Sequence, residues 1–131
     1  MRALDTNVLV RALVQDDPAQ GQRAQDYLGA QPVYIPVTVM LELEWVLRSR
    51  YAYSPKAIAD ALEKLAILEN AVVGEQAAVI AAVGKMRKGW DFADALHHAL
   101  AAGCDEFATF DTALARRATR DRSAVPPVIA I

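Results

Sequence analysis

The sequence predicts an α/β fold of three layers, α/β/α, around a mostly parallel central sheet, and three observations carry that expectation. Short apolar strand candidates alternate with helix-period segments through the whole length, the pattern of a parallel sheet covered on both faces. The 131 residues are 54% hydrophobic and 23% charged, enough to build one compact core and too apolar for a disordered chain. No internal repeat, low-complexity tract or linker divides the chain, so residues 1–131 read as one domain.

Arg2 to Leu4 is a short strand candidate ending at Asp5-Thr6-Asn7, after which Val8, Leu9, Leu13 and Val14 recur at helical spacing. Asp16-Asp17-Pro18 closes that unit and opens a Gln-rich helix to about Leu28, with Gly29 as its stop. Val33 to Ile35 is a second strand. Pro36 then starts an apolar run from Val37 to Leu47, hydrophobic nearly all the way round as an enclosed helix is, with only Glu42 and Glu44 interrupting it. Ser54-Pro55 is an N-cap followed by proline at the first helical position, and Ile58, Ala61, Leu62, Leu65 and Leu68 mark one helix face. Ala71 to Val73 is a weak third strand. Glu75 to Lys88 repeats apolar residues at 79, 82, 83 and 86 and ends in Lys85, Arg87 and Lys88 before Gly89, which suits the dipole at a helix C-terminus. Asp91 to Ala102 is a helix with Phe92, Leu96, Ala99 and Leu100 inward. Glu106 to Phe110 reads as a strand running into Asp111 and a short helix. Beyond the polar Arg116–Ser123 stretch and Pro126-Pro127, Val128 to Ile131 forms a last edge strand.

Fourteen Lys+Arg against sixteen Asp+Glu leave a formal net charge of −2, so no global basic field draws the chain to nucleic acid and any polyanion must be held locally. The lone Cys104 excludes an intrachain disulfide and an all-cysteine metal site. With no apolar signal core after Met1 and no uncharged stretch approaching the ~18 residues of a membrane span, the expectation is a soluble, cytoplasmic protein without membrane contact.

In open parallel sheets ligands sit at the carboxyl ends of strands, and two of those ends carry aspartate, Asp5 and Asp111. Each serves equally well as an N-cap, worth about 1 kcal/mol, or as part of a site. Glu42 stands inside the apolar helix, where an unpaired carboxylate costs several kcal/mol unless a cation or donors meet it. A salt bridge to Arg2, Arg11 or Arg48 is the plain alternative. Glu44 lies about 200° round the helix from Glu42, so the two cannot serve one site, and periodicity does not choose between them. Asp91 and Asp94 share a helix face with His98 one turn on; they form an ordinary helix start or present a carboxylate to a shared pocket. Carboxylates within ~4 Å repel by about 4 kcal/mol per pair at an effective dielectric of 20, so a cluster persists only when protons or metal neutralise it. Oxygen-only donors select Mg²⁺ or Mn²⁺, which suit phosphodiester hydrolysis.

At these positions the sequence resembles the PIN-domain ribonucleases, in particular the VapC-type toxins of bacterial toxin–antitoxin pairs, over almost the whole chain. Leu4-Asp5-Thr6-Asn7-Val8-Leu9 is similar to the family's opening motif, whose aspartate is a metal ligand. Val39-Met40-Leu41-Glu42-Leu43 resembles the second motif, which singles out Glu42 over Glu44. Phe92-Ala93-Asp94-Ala95-Leu96, with the small Ala101 later on the helix, resembles the third, and Ala108-Thr109-Phe110-Asp111 the fourth. The resemblance implies a PIN-like fold, Mg²⁺- or Mn²⁺-dependent endoribonuclease activity, Asp5, Glu42, Asp94 and Asp111 as catalytic and metal-ligating residues, a homodimer, and inhibition by a small VapB-like antitoxin. His97-His98 and Asp91 depart from the pattern.

Adjacent histidines point about 100° apart, so His97 and His98 are no metal pair and read as helix-surface residues. Thr6, Asn7 and Thr109 orient ligands or complete caps. Arg116, Arg117, Arg120 and Arg122 after Asp111, with Arg11 after the first acidic turn, are placed to grip RNA phosphates or to form a solvated helix end, interrupted by Asp121. Of the two tryptophans, Trp45 reads as core and Trp90 as the better base-stacking candidate. Two other functions fit an acidic pocket: an aspartyl phosphotransfer or receiver-like domain, which lacks its strand-end lysine here because Lys56, Lys64, Lys85 and Lys88 all fall in helices, and a noncatalytic interaction domain of the same fold.

Overall fold

The computed structural model describes residues 1–122 and 124–131; Ser123, the last residue of the polar 116–123 stretch, lies outside the described residues. The element order is β1 (Arg2–Ala3), α1 (Thr6–Val14), α2 (Pro18–Ala30), β2 (Val33–Ile35), α3 (Val37–Ser49), α4 (Pro55–Ala66), β3 (Ala71–Val73), α5 (Gln76–Arg87), α6 (Phe92–Leu100), β4 (Phe107–Thr109), α7 (Thr112–Arg120) and β5 (Val128–Ala130). Helices and parallel strands make the three-layer α/β/α arrangement that the alternation predicts. Every strand pairing is parallel, because each crossover carries at least one helix. The strands form two hydrogen-bonded pieces, β1-β2-β3 and β4-β5.

Local chemistry explains the boundaries. Asp17, Ser54, Asp91 and Asp111 each accept a backbone N–H of the following helix turn, and proline opens α2 and α4. Gly89, at φ +99°, turns the chain between α5 and α6, a conformation that side-chain-bearing residues rarely adopt. The core gathers Leu9, Val33, Ile35, Met40, Leu43, Leu47, Ile58, Leu62, Val79, Phe92 and Leu96, each almost wholly buried. Helix α3 packs against α1, α4, α5 and α6 and is the central post of the molecule.

That post is not apolar all round. Its buried stripe is Met40, Leu43, Glu44 and Leu47, spaced i, i+3, i+4, i+7, while Thr38, Glu42, Trp45 and Ser49 share the exposed side. The expectation of an enclosed Glu42 is therefore corrected: Glu42 is exposed and Glu44 is the buried acid. Trp45, expected in the core, is 49% exposed, whereas Trp90, expected as a stacking surface, is 4% exposed. Leu100 and Leu68 are also exposed, because each lies at or past the end of its helix, beyond the elements that cover the preceding turns.

Candidate active site at the strand ends

Asp5 follows β1 and caps α1, its Oδ1 accepting the Thr6 N–H at 2.7 Å. Asp111 follows β4 and caps α7, its Oδ1 accepting the Leu114 N–H at 3.0 Å, while its own N–H donates to Thr109 Oγ1 at 3.0 Å. Asp91 caps α6 through Oδ2, which accepts the Asp94 N–H at 3.1 Å, and Asp94 lies in that helix's first turn. Capping and site roles are compatible: a carboxylate has two oxygens, and each of these caps engages one of them. Thr109 holds Asp111 through its hydroxyl, the orienting role rather than a cap of its own.

The structure brings these groups into adjoining hollows. Asp91, Asp94 and Asp111 line one, together with Glu44, Arg48, Trp90 and Arg117. The Asp94 carboxyl is pushed above its ordinary range by burial, then by the charges of Asp91 and Asp111, with His97 opposing. Asp5 and Glu42 line a second hollow with Thr6, Asn7, Arg11 and Trp45. A third, lined by Glu42, Glu44, Trp45, Arg48 and Ala93, touches both. Among the described residues, no three acidic, histidine or cysteine side chains stand close enough to hold a metal ion between them. The four expected residues thus fall in two pairs, Asp94 with Asp111 in one hollow and Asp5 with Glu42 in another.

Each expected partner of Glu42 is occupied elsewhere. Arg2 stacks on the Tyr27 ring at 4.5 Å. Arg11 pairs with Asp16 at 2.9 Å and also reaches Gln20 and Tyr51, and its interactions with Tyr51 and Asp16 hold its guanidinium above its ordinary range. Arg48 binds Glu44 at 2.8 Å, which raises the guanidinium above its ordinary range. Glu44, 3% exposed, is the acid that the apolar helix had to compensate, and an arginine one turn on does so.

His98 overturns the helix-surface expectation. It is 1% exposed, its Nε2 lies 2.7 Å from the Pro126 carbonyl, and its ring stands 5.5 Å from Trp90 and 5.7 Å from Phe107. It is a packing residue beneath the site; its neighbour His97 is the exposed one. Of the arginines after Asp111, Arg117 reaches the hollow of Asp94 and Asp111, and with Arg120 and Arg122 lines the next cleft; Arg116 lines neither.

The donor chemistry fits a hard divalent cation. All four expected ligands offer carboxylate oxygen, Asp94 carries the like-charge pressure that a cation relieves, and the buried Thr6 Oγ1, beside Asp5, has no hydrogen-bond partner. No helix among the described residues is long and apolar enough to cross a membrane.

The family model for the PIN domain matches residues 2–119. No curated protein and no solved structure matches the chain. With that match spanning all four acidic motifs and the strand-end aspartates in place, the chain belongs to the PIN domain family, whose members are typically nucleases that act on RNA or other nucleic acid and use divalent metal ions.

Proposed function

We propose that this chain is an Mg²⁺- or Mn²⁺-dependent endoribonuclease, the VapC-type toxin of a toxin–antitoxin pair, acting as a homodimer held in check by a small VapB-like antitoxin. The observation that carries the reading is the convergence of Asp91, Asp94 and Asp111 on one hollow at the end of β4 in a PIN domain, where burial and the neighbouring charges push the Asp94 carboxyl above its ordinary range. Asp5, Glu42, Asp94 and Asp111 are the residues that would hold the cation; when bound, it supplies Lewis acidity toward the phosphodiester and its attacking water. The chain's own contribution is placement. Helix capping fixes Asp5 and Asp111, and the Thr109 hydroxyl fixes the turn before Asp111. Arg117, at the rim of the same hollow, offers a bidentate cation to a phosphate. Against the phosphotransfer reading, no lysine is among the described residues that line the hollow of Asp94 and Asp111.

The test is cleavage of RNA by purified protein with Mn²⁺ or Mg²⁺ and its arrest by EDTA, followed by sequencing of the RNA ends. Asp5→Asn is the decisive variant because asparagine caps a helix about as well as aspartate, so stability should stay within about 0.5 kcal/mol. Activity should fall at least ~100-fold. Undiminished cutting by Asp5→Asn would remove that residue from the mechanism.

A further inference from the structure

A basic cleft adjoins the acidic hollow. It is lined by Lys88, Trp90, Arg117, Arg120, Asp121 and Arg122, and it shares Trp90 and Arg117 with the hollow of Asp94 and Asp111, so the two are continuous. The acid in the cleft, Asp121, is held by Lys85 at 2.7 Å, with both side chains largely buried. Lys85 in turn lies over the Trp90 ring at 4.7 Å. Among the described residues none of Lys88, Arg117, Arg120 and Arg122 takes part in an ion pair. Asp121 is thus compensated from beneath, and the cleft is left with a local excess of positive charge on a chain whose formal net charge is −2.

One of these cations lies against Gly89. A Cβ at residue 89 would stand 2.7 Å from Arg117 Nη1, so the guanidinium lies directly against the Gly89 backbone. The opposite flank of the site differs. There Asp5 shares a hollow with Arg11, Gln20, Arg23 and Tyr27, but Arg11 is already bound to Asp16 and Gln20. Among the described residues that line this hollow, Arg23 is the cation that no ion pair engages.

We propose that an RNA strand passes from the acidic hollow over the Gly89 turn, its phosphates next to the cut bond gripped by Arg117, Arg120, Lys88 and Arg122, and not along the α1–α2 flank. Arg117 stands at the junction and sets the path. The inference deepens the nuclease reading and rests on it for the nature of the polyanion. Its chemistry is simple: guanidinium groups pair bidentately with phosphate, and each phosphate so neutralised releases counterions from the strand.

The test is binding of a short fluorescein-labelled single-stranded RNA, followed by anisotropy across a salt series in EDTA, where nothing is cut. The double variant Arg117→Glu/Arg120→Glu should bind at least about tenfold more weakly, with the slope of log K against log salt reduced by about 0.7 for each phosphate that the variant no longer neutralises. Arg23→Glu/Lys64→Glu makes the same change in net charge away from the cleft and should stay within about twofold of the parent. Equal losses in the two variants, a larger loss in the second, or no RNA binding by the parent chain would each overturn the path. Should the charge reversals fail to fold on thermal unfolding, Arg117→Gln/Arg120→Gln removes the charges without adding acid, and unchanged affinity there overturns the path equally. Cleavage by the parent in Mn²⁺ separates the two claims. Cutting with unaltered affinity in the cleft variants leaves the nuclease and removes the cleft; cleft-dependent binding without cutting does the reverse.

Discussion

Glu44 and Arg48 show how a single pair can anchor the post on which the site is built. The carboxylate is 4% exposed and the guanidinium 50% exposed, so Arg48 keeps its access to water while it neutralises a charge that has none. Arg48→Ala leaves Glu44 buried without its cation and should destabilise the chain by about 2–3 kcal/mol, below the 3–5 kcal/mol of a fully buried pair because one partner is wet. Adding Glu44→Gln to that variant should recover part of the loss in urea unfolding; a double variant no more stable than Arg48→Ala alone would place the cost elsewhere. Asp94 makes a second prediction. Its folded-state carboxyl titrates above the ordinary value of 3.8, so the folded chain holds that proton more tightly than the unfolded chain does. The contribution is most favourable at pH below 3.8 and is lost as pH rises through the folded value. Without divalent metal, the parent should therefore lose stability relative to Asp94→Asn as the pH is raised from about 3 to about 7. Paired urea titrations check this, and a difference that is flat with pH would mean that the acidic crowding is not felt.

At the scale of elements, α6 connects the site to the chain's C-terminal end. Its first turn carries Asp94, its cap is Asp91, and its buried face carries His98, hydrogen-bonded to the Pro126 carbonyl just before β5. His98→Ala removes a fully enclosed ring between Trp90 and Phe107 together with that hydrogen bond, and should cost about 2–4 kcal/mol. His97→Ala, on the exposed side of the same helix, should change stability by no more than about 0.5 kcal/mol. Thermal unfolding of the two variants side by side distinguishes a packing histidine from a surface one. Adjacent positions with one residue type thus have opposite fates, and the choice comes from what β4 and the 124–127 segment place against α6.

For the molecule as a whole, the proposed cation site would couple folding to metal. A cation that binds the folded chain and not the unfolded one stabilises it by mass action, by about 2.7 kcal/mol at one hundred times its dissociation constant. Mn²⁺ should therefore raise the unfolding midpoint of the parent, EDTA should return it, and Asp94→Asn should blunt the rise. An Mn²⁺ response unchanged in that variant would detach Asp94 from the cation. Such coupling would span the molecule, because the proposed ligands Asp5, Glu42, Asp94 and Asp111 come from four distant stretches and the ends of β1 and β4 lie in separate hydrogen-bonded pieces of sheet.

Much of this is legible in the residues themselves. Strand ends, caps and stops are local events, so Asp5 and Asp111 could be placed before any tertiary packing was known, and β2 and β3 fall on Val33–Ile35 and Ala71–Val73 as expected. Burial is a different kind of fact. Glu42 and Glu44, Trp45 and Trp90, and His97 and His98 are each chemically alike, and which member faces the interior depends on how α3 and α6 are rotated against their neighbours. The amino-acid order therefore determined the fold class and the acidic motifs, because hydrogen-bonding and steric preferences act over a few residues. Tertiary packing alone decided that Glu44 rather than Glu42 needs an arginine, that Trp45 is open to solvent, and that Arg117 lies against Gly89 at the junction of the acidic hollow and the basic cleft.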